Sequence, residues 1–214
     1  MPLLRCWKSE GADFAVWQVT ESAAELRGRL PAQGPYDEEL AQFRSAGRRL
    51  EYLAVRVLLQ ELMGGEPPLV AHLPSGKPCL ADGSRHITVS HTAGYVAVGL
   101  HPVAEVGIDI ERIGERVRKV RSRFVRDDEI PGFEALPAGE QLVQLLLHWS
   151  AKETLFKLMD VPGVDFVRHL RVLPFRLRPE GEMEAFESRT SRCLGYRLRY
   201  FVHPDFVCVY GLCP

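Results

Sequence analysis

The order of patterns along the chain predicts an α+β protein of two similar halves, 1–104 and 105–214. Three observations predict it. A helical stretch followed by short strands occurs twice in the same order. The evident breaks are short turns, at Gly64-Gly65-Glu66-Pro67-Pro68, Leu136-Pro137-Ala138-Gly139 and Pro179-Glu180-Gly181. A length of 214 residues with 46% apolar content suffices for one substantial core or two small ones.

In the first half, Leu50, Leu53, Val57 and Leu58 recur at helical spacing and give a buried stripe to a helix between Ser45 and Met63. Ser45 is a candidate N-cap for it. Short strands follow near 69–72, 87–90 and 95–100. In the second half, a strand at 106–111 leads to a helix from about residue 140 to 159. Strands near 170–175, 183–187, 196–202 and 206–211 complete the chain.

Composition narrows the function classes. A formal net charge of -1 gives no general attraction to nucleic acid. Cys6, Cys79, Cys193, Cys208 and Cys213 are scattered, odd in number and lack metal-ligand spacing, which suits a reducing cytoplasm. No N-terminal basic segment leads into an apolar run, and no apolar run is long enough to span a bilayer. The expectation is a soluble cytoplasmic protein.

Val106-Gly107-Ile108-Asp109-Ile110-Glu111 alternates strictly, as a strand does. Val106, Ile108 and Ile110 then point into a core, while Asp109 and Glu111 share the other face. Gly107 precedes them there and is expected to leave that face bare for a ligand. Two such close carboxylates repel unless a cation lies between them; the alternative is a solvated strand face. Downstream, His148-Trp149-Ser150-Ala151-Lys152-Glu153-Thr154-Leu155-Phe156-Lys157-Leu158 contains no Gly or Pro and reads as helix. Spacing of four sets Trp149, Glu153 and Lys157 along one face, whether as a simple Glu–Lys helix pair or as a third carboxylate and a cation for the strand site.

Gly107-Ile108-Asp109-Ile110-Glu111, together with Trp149-Ser150-Ala151-Lys152-Glu153 and Lys157, closely resembles the signature of the 4′-phosphopantetheinyl transferases. The larger type, which activates non-ribosomal peptide and polyketide synthases, carries G-I/V-D-I/V-E and then W-S/T-x-K-E-x-x-x-K. Gly76-Lys77-Pro78 and Ser90-His91 match upstream, so the likeness runs from about Arg48 to Lys157.

The resemblance implies two halves related by a pseudo-two-fold, each a small, mainly antiparallel sheet packed on helices, with the active site in the cleft between them. A chain of this length implies a working monomer. The activity implied is transfer of 4′-phosphopantetheine from coenzyme A to a serine of an apo acyl or peptidyl carrier protein, with release of 3′,5′-ADP. Asp109, Glu111 and Glu153 are the expected ligands of Mg²⁺, whose taste for oxygen donors they suit. Lys157 would meet charge on the reacting oxygens. Glu153, or else Glu111, would take the serine proton. Expected contacts to coenzyme A are Arg48 or Arg49, Gly76, Lys77, Pro78, Ser90, His91 and Lys152. Arg49 is the preferred contact to the 3′-phosphate and Arg56 a weaker one; positive charge near a helix start costs about 0.3–1 kcal/mol unless an anion answers it.

After the metal strand come Arg112, Arg116, Arg118, Lys119, Arg121, Arg123 and Arg126, interleaved with Val117, Val120, Phe124 and Val125. This stretch is either a solvated face or the docking surface for an acidic carrier protein. The same residues allow two rival readings, a Mg²⁺-dependent phosphohydrolase acting on coenzyme A and a non-catalytic coenzyme A-binding module. The basic stretch favours the transferase over the hydrolase. The complete set of acids and lysines argues against a mere binding module.

Overall fold

The computed structural model describes residues 3–214. A hairpin comes first, β1 (Leu3–Ser9) and β2 (Ala12–Gln18), turned by Glu10 and Gly11 in left-handed conformations. Helices α1 (Ala23–Arg29), α2 (Tyr36–Ala41) and α3 (Ala46–Met63) follow. Then come β3 (Val70–His72), β4 (Pro78–Leu80), β5 (His86–Thr92) and β6 (Tyr95–His101). The remainder holds β7 (Val106–Arg112), short helices α4 (Arg116–Lys119) and α5 (Ile130–Glu134), and the long helix α6 (Ala138–Met159). It ends with β8 (Leu170–Val172), β9 (Glu180–Glu187), β10 (Gly195–Val202) and β11 (Phe206–Leu212).

Strands pair antiparallel in the orders β1-β2-β6-β5 and β7-β11-β10-β9-β8, with β3-β4 a separate ribbon. The protein is therefore α+β with antiparallel sheets packed on helices, as its sequence predicts. The hairpin β1–β2 is an addition, because the sequence pattern yields no element before Ser45. Its physical reason lies in β2, which is buried on both faces and so loses the apolar/polar alternation of a surface strand. Ala15 and Trp17 pack with α1 and α3 residues such as Leu26, Leu53 and Leu58. Ala12, Phe14 and Val16 face the other way, into a core between the two sheets.

That middle core takes Tyr95 and Ala97 from β6 and Val106, Ile108 and Ile110 from β7, with Phe201, Phe206, Cys208 and Tyr210 from the last two strands. The second sheet buries its opposite face against α6 through Leu147, Ala151, Leu155 and Leu158. Ser45 precedes α3 in extended conformation but makes no side-chain cap, contrary to expectation. The helix ends instead on Gly64, whose left-handed backbone lets its N–H bond the Gln60 carbonyl. Among the described residues no helix is long and apolar enough to cross a membrane.

Edge strands β5 and β7 lie side by side in parallel register without a backbone ladder. The Thr88, Ser90 and Thr92 hydroxyls accept the N–H groups of Ile108, Ile110 and Arg112 at 3.3, 3.2 and 3.2 Å. The open edge of β7 is thereby satisfied by side chains.

Candidate active site

Helix α6 crosses β7 at Gly107. A Cβ there would fall 2.8 Å from Leu158 Cγ and 3.0 Å from the Thr154 carbonyl oxygen. The expectation that this glycine leaves the strand face open to a ligand is therefore corrected, because the helix itself occupies the space. The absence of a side chain sets how closely helix and strand approach. Asp109 and Glu111, two and four residues on, share that face and meet the α6 residues Trp149, Glu153 and Lys157.

Asp109 is buried. Its Oδ1 accepts from Ser90 Oγ and from Lys157 Nζ, both at 2.9 Å, while its Oδ2 is buried with no partner. Lys157 Nζ also donates to the Ile108 carbonyl at 2.8 Å. Glu111 Oε1 accepts from Trp149 Nε1 at 2.8 Å. Burial, and then the Asp109 charge, hold the Glu111 carboxyl above the usual range, with the Trp149 bond opposing them. Glu153 is pushed up to about 7, first by burial and then by the Asp109 charge, with Lys157 opposing and Glu111 adding to the rise. Three carboxylates thus press on one another at the meeting of β7 and α6.

Among the described residues no three His, Cys, Asp or Glu side chains already stand as a metal cage. The chemistry nevertheless fits a hard divalent cation. An unpartnered buried carboxylate oxygen and two acids with raised pKa are what a cation would relieve, and the donors are all oxygen. Neither thiol nor imidazole stands among them, so a zinc-type site is a poor match.

The first sheet adds a cationic corner. Arg48 donates to His91 Nε2 at 2.8 Å and to Glu51 at 3.1 Å, and His91 Nδ1 lies 3.4 Å from Glu51. Burial lowers the His91 pKa, with the Glu51 charge opposing and the Arg48 and Lys157 charges adding to the fall. Arg48, not the preferred Arg49, is the residue facing His91. Arg49 turns away to the Phe43 carbonyl at 2.9 Å. Arg56 is buried, stacked 3.7 Å from the Tyr52 ring centroid and paired with Glu39.

The other expected contacts lie apart from this corner. β5 continues through Thr92 rather than ending at Ser90, so Ser90 and His91 project from opposite faces. Ser90 turns inward to Asp109 and the Ile110 N–H. Lys152 is fully buried, with its ammonium on Glu129 at 2.9 Å and on the Phe124 and Phe166 carbonyls at 2.6 and 3.3 Å. It ties α6 to the loops on either side and has no free face for a ligand. Gly76, with φ +88°, forms the β3–β4 turn before Pro78. Lys77 pairs with Glu105 at 2.6 Å, beside His86. Glu105 directly precedes β7 and His86 opens β5, so this cluster sits at the strand ends away from Glu111.

Beside Glu111 opens a cavity of about 1120 Å³, with Arg112, Arg116 and Arg123 on its walls and Val117, Trp149 and Phe166 among its apolar lining. Two other arginines of the basic stretch are occupied within the protein. Arg118 holds Glu115 and the Ala138 carbonyl, and Arg126 holds Asp128 and the Val167 carbonyl. Residues that sequence reasoning gave no role are Glu51, Thr154 and the indole of Trp149 as a holder of Glu111. Of these only Trp149 carried a signal, its place on the Glu153 face.

Comparison with known proteins agrees with this geometry. The sequence profile of the 4′-phosphopantetheinyl transferase superfamily matches residues 105–210, which include β7 and α6. The 4′-phosphopantetheinyl transferase AcpT of Salmonella typhimurium is 32% identical over 141 residues, 64% of this chain and 68% of that protein. The 4′-phosphopantetheinyl transferase psf-1 of Bacillus pumilus is 32% identical over 106 residues, 50% of this chain and 41% of its own length. On these matches, and on acids and a lysine gathered where β7 meets α6, the chain belongs to the 4′-phosphopantetheinyl transferase family and is an enzyme of that class.

Proposed function

We propose that this enzyme transfers the 4′-phosphopantetheine of coenzyme A to a serine hydroxyl of an apo acyl or peptidyl carrier protein. The observation that carries the reading is the buried, unpartnered Asp109 Oδ2 beside two carboxylates with raised pKa and the Lys157 ammonium. Asp109, Glu111 and Glu153 would hold Mg²⁺, which when bound supplies charge neutralisation at the diphosphate of coenzyme A.

The protein's own groups account for the rest. Glu153, set beside Asp109 and Lys157 where β7 meets α6, is the first choice to accept the serine proton, directly or through one water. Glu111, held by Trp149, is the second choice of base. The serine oxygen forms a bond to the phosphorus bearing pantetheine as the bond to the leaving oxygen breaks, releasing 3′,5′-ADP. Lys157, anchored by Ile108 and Asp109, retains a proton to offer the departing oxygens. Arg48 and the neighbouring His91 suit the 3′-phosphate, which gives residues 1–104 the nucleotide and 105–214 the chemistry. The arginines around the large cavity suit an acidic carrier protein. The enzyme acts in the cytoplasm as a monomer.

Incubation with coenzyme A, Mg²⁺ and an apo carrier protein tests the proposal by mass spectrometry. A phosphopantetheine mass gain on the carrier is expected. Nucleotide product without that gain would instead indicate a hydrolase, and neither product a binding module.

A further inference from the structure

Along the β5–β7 seam, Thr88, Ser90 and Thr92 each accept one backbone N–H from β7. All three hydroxyls serve the seam alike, and what sets the middle one apart is the use of its own proton. A hydroxyl has one donor and two acceptor positions, and Ser90 uses its donor on Asp109 Oδ1. Lys157, itself fixed by the Ile108 carbonyl, reaches the same oxygen. Asp109 Oδ1 is thus satisfied twice by the protein, and Oδ2 by nothing within it.

The terminal torsion of an aspartate is soft and nearly two-fold, so Lys157 alone would hold either oxygen equally well. A second donor, on a rigid strand, removes that freedom. We infer that Ser90 is a positioning residue for the cation site, turning Asp109 so that Oδ2 is the oxygen left for the metal. The inference rests on the reading that Asp109 takes a divalent cation. It assigns Ser90 to the acid rather than to any phosphate of the substrate.

The test is Mn²⁺ affinity, read by electron paramagnetic resonance of the free aquo ion in the presence of coenzyme A. Groups that orient a ligating side chain typically change metal affinity by about 10–100-fold. Ser90→Ala is expected to weaken Mn²⁺ by roughly tenfold or more, while Ser90→Thr keeps the affinity. Ser90→Cys retains the size and only a weak donor, so it gives a smaller loss and serves should Ser90→Ala not fold. Thr88→Val is the control. It removes one seam bond, lowers the melting temperature much as Ser90→Ala does, and leaves Mn²⁺ affinity unchanged.

Wild-type affinity in Ser90→Ala, or an equal loss in Thr88→Val, overturns the inference while leaving the cation site standing. Absence of Mn²⁺ binding by the wild type, or Asp109→Asn binding as wild type does, removes the site itself and the inference with it.

Discussion

Under the proposed function, Glu153 is a side chain whose task runs against the stability of its own protein. Its folded-state pKa, about 7, lies above the ordinary value of 4.5. A raised carboxylate favours folding below pH 4.5, where both states bind the proton, and that contribution is lost as pH rises through 7. Above that point the folded chain carries an unwelcome charge. Glu153→Gln is therefore expected to abolish transfer, by at least about a hundredfold, yet to stabilise the cation-free protein at pH 8 by about 1–3 kcal/mol. The gain shrinks toward zero at pH 5, and thermal melts at the two pH values check it. A variant less stable than wild type at pH 8 would contradict the account.

At this scale Asp109, Glu111, Glu153 and Lys157 were legible because strand alternation and helical spacing leave their faces little choice. Lys152 was not. Spacing tells which residues share a helix face, but only tertiary packing decides that the face beside Phe124 is closed and contains Glu129. The Ser90 bond to Asp109 was hidden for a related reason. A serine beside a histidine in a strand faces the opposite way, and where the strand ends determines which of them meets the site.

At the scale of elements, the site depends on the distance between α6 and β7. Gly107→Ala places a methyl against Leu158 and the Thr154 carbonyl, and backbone cannot yield as a flexible side-chain tip does. A loss of about 1–3 kcal/mol in unfolding free energy is expected. A larger fractional fall in turnover should accompany it, because the shift moves Glu153 and Lys157 relative to Asp109. Denaturant melts alongside steady-state kinetics measure both. The basic stretch separates by element as well. Arg116 and Arg123 line the cavity, whereas Arg118 and Arg126 hold backbone carbonyls. Reversing charge at Arg116 and Arg123 is expected to raise the KM for an acidic carrier protein by about tenfold, most strongly at low salt. Unaltered KM would remove the docking role. Here α3, β3, α6 and the strands from β5 onward followed from pattern. The hairpin β1–β2 did not, because a strand buried on both faces shows no alternation.

At the scale of the whole molecule, the two sheets do not merely touch. Trp7, Phe14, Phe201 and Tyr210 pack ring against ring between them, and Arg5–Glu180 and Arg199–Glu10 join the same two parts at the surface. An interface of that kind behaves as a shared interior, so the candidate site residues from both sheets are held in place before any ligand arrives. Such an arrangement favours one cooperative unfolding transition over two.

Cys208 lies at the centre of that shared interior, opposite Ile110 on β7 and fully enclosed. Burial pushes its thiol well above the ordinary range, so almost no thiolate exists to react. Cys6 and Cys193 are exposed and should be alkylated promptly by iodoacetamide, leaving Cys208 unmodified until the sheets come apart. The lag before its modification, followed by peptide mass spectrometry, is expected to lengthen with thermodynamic stability across the variants above. The chain thus contains its own clock for how often its two parts separate.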